Sequence, residues 1–452
     1  EKGNRDDWFN LQGSAPALAL AEARKLEPGL HLVITETSQQ ADQLAAELGF
    51  YGNEELSILS FPDWETLPYD LFSPHQDIIS QRLETLYRLP RDNRSVVILS
   101  VSSLLHRLPT PAFVENNSLI LKKNDRIDTE QFTGRLIATG YRRVETVYEA
   151  GEFAVRGSII DLYPVGSPSA ARIDLFDDDI DQLRFFDTET QMTINSVEEI
   201  RLLPAKEFPF NDEAIAKFRT AWRSRFEGQP SNSPLYQDIS GGIAFPGIEY
   251  YLPLFFDNCS TLFDYLPEAT RIFTLGDLPA AAQRFWQELA RRYEERRHDI
   301  ERPILPPAEL YLQENELFGH IKSYSQVRMH VGVDKSKQNQ AKCTAPPDFK
   351  QGQTATQSLE PLKAFIESHP DRILICAEST GRREVLSDLL TRLGLHAQRL
   401  ENWKEFLGSE QRLCIAIGEL DRGLSLTEPG LDVICESQLF GGRVMQRRRR
   451  QA

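Results

Sequence analysis

Between residues 151 and 187 apolar and polar side chains alternate with a period of two, and this constrains the fold more than any other stretch of the chain. The run reads GEFAVRGSIIDLYP (151–164), a short Pro/Ser loop, then ARIDLFDDDIDQLRFFD (171–187). Alternation over 158–163 and 172–176 predicts half-buried strands, with one face on a core and one facing water. Arg156, Arg172 and Arg184 fall on or beside these strands, with Phe176 and a run of aspartates close by. Arginine and an exposed aromatic on a rigid sheet are the residue types that anchor protein–protein interfaces. No nucleophile, metal-ligand set or acid/base pair accompanies them. The pattern reads as a docking surface made of Arg156, Arg172, Phe176 and Arg184. Its competitor is internal pairing of the arginines with the plentiful aspartates, where such pairs add little.

The texture on either side is different. A chain of 452 residues predicts about three domains. The first hundred residues alternate helix (16–25, 41–48, 77–87) with strand (32–34, 56–61, 96–101), the α/β manner. Short alternating strands with Gly and Pro turns fill 119–204. Helix and strand resume at 213–226 and 271–275, followed by a long amphipathic helix from 279 to about 298. The expected fold class is therefore α/β: one α/β domain, in parts 1–118 and 205–331, interrupted by a β-rich α+β insert at 119–204. A Lys/Gln/Asn/Ser-rich stretch at 332–357 lacks the apolar content to fold and is expected as a flexible linker. A second small α/β domain follows at 358–440, and basic residues in 441–452 look like the start of a tether.

Several function classes are weakened by what the sequence lacks. The net charge of −16 weighs against nucleic-acid binding by the chain as a whole, since phosphate neutralisation needs a basic footprint. No apolar run approaches the roughly 20 residues of a membrane span. The five scattered cysteines show no CxxC, which predicts free thiols, a reducing cytoplasm and no structural metal. The segment 11–18 sits where a phosphate loop would, yet it has one glycine, no lysine and a proline entering the helix. Asp277 stands alone where a paired acidic box would hold magnesium. Ser379, at the start of another helix, reads as a cap, and 177–179 as a solvated acidic turn. The arginines at 284, 291, 292, 296 and 297 interleave with glutamates and predict a water-facing helix. Trp64, Tyr69 and Phe72, in a proline-interrupted stretch, are expected to pack across a domain boundary. No catalytic residue and no bound cofactor is predicted for the chain itself.

Four blocks in order carry a resemblance: DWETLPYDLFSPHQDIISQRLETLYRLP (63–90), GEFAVRGSIIDLYP (151–164), ARIDLFDDDIDQLRFFD (171–187) and GIEYYLPLFF (247–256), with ESQLFGGRV at 436–444. Together they resemble the N-terminal region of the bacterial transcription-repair coupling factors (Mfd), part of which is also similar to the excision-repair protein UvrB. The resemblance implies a UvrB-like, helicase-type α/β domain whose ATP residues are degenerate, and loss of UvrB's Tyr-rich DNA wedge, which would fall after Phe61. It implies a UvrA-docking module, whose arginines and phenylalanine map onto Arg156, Arg172 and Phe176, with Arg184 a further addition. The family's RNA-polymerase-binding module and its ATP- and magnesium-dependent DNA translocase would lie beyond residue 452, as would the C-terminal domain that covers the docking face. A start at Glu1 instead of Met implies a trimmed N-terminus. The alternative is a DNA translocase or helicase domain active in its own right.

Overall fold

The computed structural model describes residues 4–27, 29–52, 56–334, 336, 339–349 and 360–440. The expected tether at 441–452 and the 350–357 part of the expected linker lie outside these residues.

The strands His31–Thr35 and Val96–Ser100 are buried at every position, as strands covered on both faces must be. They sit near the centre of a wholly parallel sheet ordered Arg5–Trp8, Ser325–Met329, Arg271–Leu275, His31–Thr35, Val96–Ser100, Ile58–Ser60. Arg271–Leu275, which follows the insert in sequence, pairs directly with His31–Thr35, which precedes it. The two sequence parts therefore complete one domain. Leu32, Ile34, Val97 and Leu99 point into a core shared with the helices Gln76–Arg88 and Leu278–Arg296. The long helix is capped by Asp277, which accepts from the Ala280 N–H at 3.1 Å. Arg291 pairs with Glu288 and Glu295 on its water side, as the sequence predicts. Arg292 departs from that expectation: it is buried, and its Nε donates to the Pro68 carbonyl at 2.6 Å.

The insert is closed by Leu119–Lys122 pairing antiparallel with Glu199–Leu202. Between them lies a six-stranded sheet ordered Thr193–Val197, Asp179–Phe186, Ala170–Phe176, Ile159–Leu162, Glu152–Arg156, Arg142–Arg143. Its inner face, with Phe153, Ile160, Ile173 and Leu183, shares a core with Phe132 and Leu136 of the helix Thr129–Ala138. A buried ion pair ties the chain just after the insert to the helix Gln76–Arg88. Arg82 Nε lies 2.6 Å from Glu207 Oε1, both side chains are essentially inaccessible, and Trp64 Nε1 donates to Glu207 Oε2 at 3.1 Å. Tyr69 is also buried, donating to the Leu305 carbonyl at 2.8 Å, whereas Phe72 is left exposed. Of the three aromatics expected to pack, two do.

The third sheet runs Cys343–Thr344, Leu424–Leu426, Leu431–Cys435, Arg372–Ala377, Leu413–Ile417, Gln398–Arg399. One face, with Ile373, Ile375, Ile415 and Ile434, packs on Leu362, Ile366, Leu386 and Leu390 of its own helices. The other face, with Leu374, Cys376, Ala416 and Val433, packs on residues of the first domain's helices Ala15–Leu26 and Ser38–Gly52. Those same helices cover the first sheet through Val33, Val96, Ile98 and Phe273. The unit expected to hang from a flexible linker is instead docked, because its sheet has a second apolar face to bury. The linker expectation also changes for the described residues. Asn10 Nδ2 donates to the carbonyls of Ala341 (2.9 Å) and Cys343 (2.7 Å), and Cys343–Thr344 is an edge strand. Polar composition does not prevent order where backbone groups find partners.

Candidate docking surface

Strand register brings the four predicted residues onto one face. Arg156 pairs across strands with Ile159, Ile159 with Asp174, Asp161 with Arg172, and Arg172 with Arg184. Cross-strand partners share a face, and Asp174 and Phe176 follow Arg172 at the two-residue period. Burial alternates accordingly along Ala170–Phe176, with Ile173 and Leu175 buried and Arg172, Asp174 and Phe176 progressively more open. Phe176 is 73% exposed at the strand's end. The turn after it is made by Asp177 and Asp178, with Asp177 at φ 55°, a conformation Asp tolerates. The acidic turn is solvated, as expected, and Asp178 also meets Arg126 at 3.0 Å on the exposed rim.

The arginines are neither buried nor free. Arg172 grips Asp161 with Nε to Oδ1 at 2.6 Å and Nη2 to Oδ2 at 2.9 Å, and reaches Gln191 Oε1 at 3.3 Å. Its guanidinium lies 4.6 Å from the Phe186 ring centroid, a cation–π distance. The Arg172 side chain keeps 18% of its surface and Asp161 only 5%. Hydrogen bonding to Asp161 holds this guanidinium above the usual arginine range, so it stays charged. Arg184 donates to Asp174 Oδ2 from Nε (3.0 Å) and Nη2 (2.5 Å). Arg156 is exposed, donating to Thr146 Oγ1 at 3.0 Å and to the Glu145 carbonyl. The internal pairing weighed from sequence is thus present for Arg172 and Arg184, yet each pair remains partly open on the same face. Sequence reasoning missed the acceptors Asp161, Asp174 and Gln191, and the exposed apolar Met192 and Ile194 beside them. Cross-strand register, which sets the two aspartate partners, leaves no mark in a linear pattern.

The segment read as a degenerate phosphate loop is closed by the chain itself. The Ser14 N–H donates to the Gly423 carbonyl at 3.0 Å, and Ser14 Oγ lies 2.7 Å from Tyr51 Oη. Gly13 has φ 59°, and a Cβ there would fall 2.1 Å from the Gly423 oxygen. A carbonyl from the third unit thus lies against the start of this helix. Ser379 caps its helix by accepting from the Arg382 N–H at 3.3 Å, matching its bland reading.

A family model for the UvrB interaction domain matches residues 119–208, which includes the whole face just described. A second model, MFD, D3 domain, matches residues 365–439 of the third unit. The transcription-repair-coupling factor of Haemophilus influenzae is 37% identical over 445 residues, covering 97% of this chain and 38% of the relative. That of Escherichia coli is 39% identical over 442 residues, with the same coverage. The chain is homologous to the N-terminal region of the transcription-repair-coupling factors. The coupling factor of Myxococcus xanthus is more distant, 26% identical over 489 residues and 99% of this chain. The chain spans about 38% of the length of the first two coupling factors. Among the described residues no helix is long and apolar enough to cross a membrane.

Proposed function

We propose that this chain is the non-catalytic, repair-recruiting segment of a transcription-repair-coupling factor, and that its insert docks the excision-repair protein UvrA. One observation carries the reading: within the segment matching the UvrB interaction domain, Phe176 is 73% exposed on the face that also bears Arg156, Arg172 and Arg184. An aromatic anchor beside charged groups is the composition of an interface hot spot. Phe176 enters an apolar pocket on UvrA, while Arg156 and the open edges of the Arg172 and Arg184 pairs meet acceptors around it. The chain acts in the cytoplasm without ATP or magnesium. RNA polymerase, duplex DNA and ATP hydrolysis belong to other parts of a complete coupling factor.

The test is a titration of UvrA against this chain and its Phe176→Ala variant. Loss of about 2 kcal/mol of binding, roughly thirtyfold, is expected of a hot spot. Binding by the variant equal to that of the parent would remove the site. The alternative, a translocase active in its own right, requires ATP turnover by the purified chain. The Gly423 carbonyl against the Ser14 N–H favours the non-catalytic reading.

A further inference from the structure

Away from the docking face, three side chains of the third unit converge, two from one helix-to-strand connection and one from a neighbouring strand. His369 follows the helix Glu360–Ser368, Asp371 precedes the strand Arg372–Ala377, and Asp432 lies within the strand Leu431–Cys435. His369 Nε2 is 3.5 Å from Asp371 Oδ2 and 3.1 Å from Asp432 Oδ2, and all three donor atoms lie within 4.8 Å of one another. Among the described residues, this is the one group of at least three His, Cys, Asp or Glu side chains so arranged.

The Asp432 side chain is only 5% exposed, and its Oδ2 makes no hydrogen bond but faces His369 Nε2 at ion-pair distance. A buried carboxylate oxygen without a hydrogen bond is costly unless a positive group, an imidazolium or a metal ion, completes it. Its other oxygen is held by the Ser425 hydroxyl, which fixes the carboxylate so that Oδ2 points at His369 and Asp371. The His369 ring is held by stacking on Phe365, centroids 4.5 Å apart. Gly430, at φ 79°, makes room for Asp371: a Cβ there would lie 2.7 Å from Oδ1. Ligands fixed by outer contacts of this kind are what metal sites use. Donors around a tetrahedral ion with bonds near 2.0–2.1 Å stand about 3.3 Å apart, and the separations of 3.1 and 3.5 Å from His369 lie on either side of that value.

We propose that His369, Asp371 and Asp432 form a binding site for a divalent transition-metal ion of the zinc class. One imidazole and two carboxylates suit such an ion better than magnesium, which favours all-oxygen, water-rich shells. His369 and Asp371 are about one-third exposed, so water completes the coordination. The ion would pin the end of one helix to the starts of two neighbouring strands.

The experiment is calorimetric titration of the metal-free chain with Zn2+, alongside Co2+ absorption spectroscopy. One equivalent bound at micromolar concentration is expected, with a Co2+ spectrum lacking a thiolate charge-transfer band. His369→Gln and Asp371→Asn, both at partly exposed positions, should each weaken binding at least tenfold while leaving the circular dichroism unchanged. Absence of saturable binding to the parent chain overturns the proposal, as does binding that both variants retain. A thiolate band would place the ion on cysteine instead, with the same result.

Discussion

At Arg172 and Phe176 the proposed docking face holds two residues with different obligations. Phe176 is exposed and supports nothing beneath it, so Phe176→Ala should change folding stability by no more than about 0.5 kcal/mol. Its effect on UvrA binding is then a clean readout. Arg172 also neutralises Asp161, a carboxylate left only 5% exposed. Arg172→Ala strands that charge and should cost about 2–3 kcal/mol of stability, measured by urea denaturation. Adding Asp161→Asn to Arg172→Ala should recover most of the loss. If UvrA affinity recovers with it, Arg172 serves the fold and its direct role in docking is excluded. If affinity stays low in the stable double variant, the guanidinium contacts the partner. The alternation of 172–176 made the outward position of Arg172 legible. Its partner, eleven residues earlier on the neighbouring strand, was not, because pairing depends on register.

Among the elements, the helix Ser38–Gly52 carries the most consequence, since it packs on one sheet with one side and on the third unit with the other. A helix over 41–48 was readable from apolar residues three and four apart, although it runs from Ser38 through Gly49 to Gly52, and its second partner was not readable. Residues such as Leu44, Leu48 and Tyr51 would look the same against one sheet or two. Glu47 marks the contact chemically. It is buried beside Asp421 and Arg422, and desolvation pushes its carboxyl up to about 7 from an ordinary 4.5. A raised carboxylate pKa means that the folded state holds the proton more tightly than the unfolded state does. The resulting stability is full at low pH and is lost as pH rises from about 4.5 to about 7, with little further change above. The full effect is on the order of 3 kcal/mol. Glu47→Gln mimics the protonated form, so it should flatten that part of the stability–pH curve and raise stability at pH 8. Denaturant midpoints at pH 5 and pH 8 for both proteins check this, and an unchanged pH 8 midpoint in the variant would contradict it.

Taken as one molecule, the chain stacks helices, sheet, helices, sheet and helices, and the middle helices belong to the first domain while serving both sheets. The α/β texture of each part was legible because continuous apolar runs such as 96–99 leave few alternatives. The docking of the parts was not, since Leu374, Cys376 and Val433 alternate with Ile373, Ile375 and Ile434 in strands that are apolar over 373–377 and 433–435. Such strands declare two covered faces without saying what covers the second. The consequence concerns cooperativity. Trp403, on the third unit, meets Tyr51 of the first domain edge-on with centroids 5.0 Å apart, and both rings are buried. Units that share a core of this kind should melt together, whereas tethered domains melt independently. Calorimetry of the whole chain should therefore show the third unit unfolding within the same transition as the first domain. Trp403→Ala opens a cavity in the shared core and should cost about 3–5 kcal/mol, lowering that common transition. A separate melt of the third unit, moved by Trp403→Ala while the first domain stays put, would show that the two merely touch. If the common transition holds, the third unit is part of the rigid body that presents the insert, and changes in the 365–439 region should alter the proposed UvrA docking through the position of the face, leaving its residues untouched.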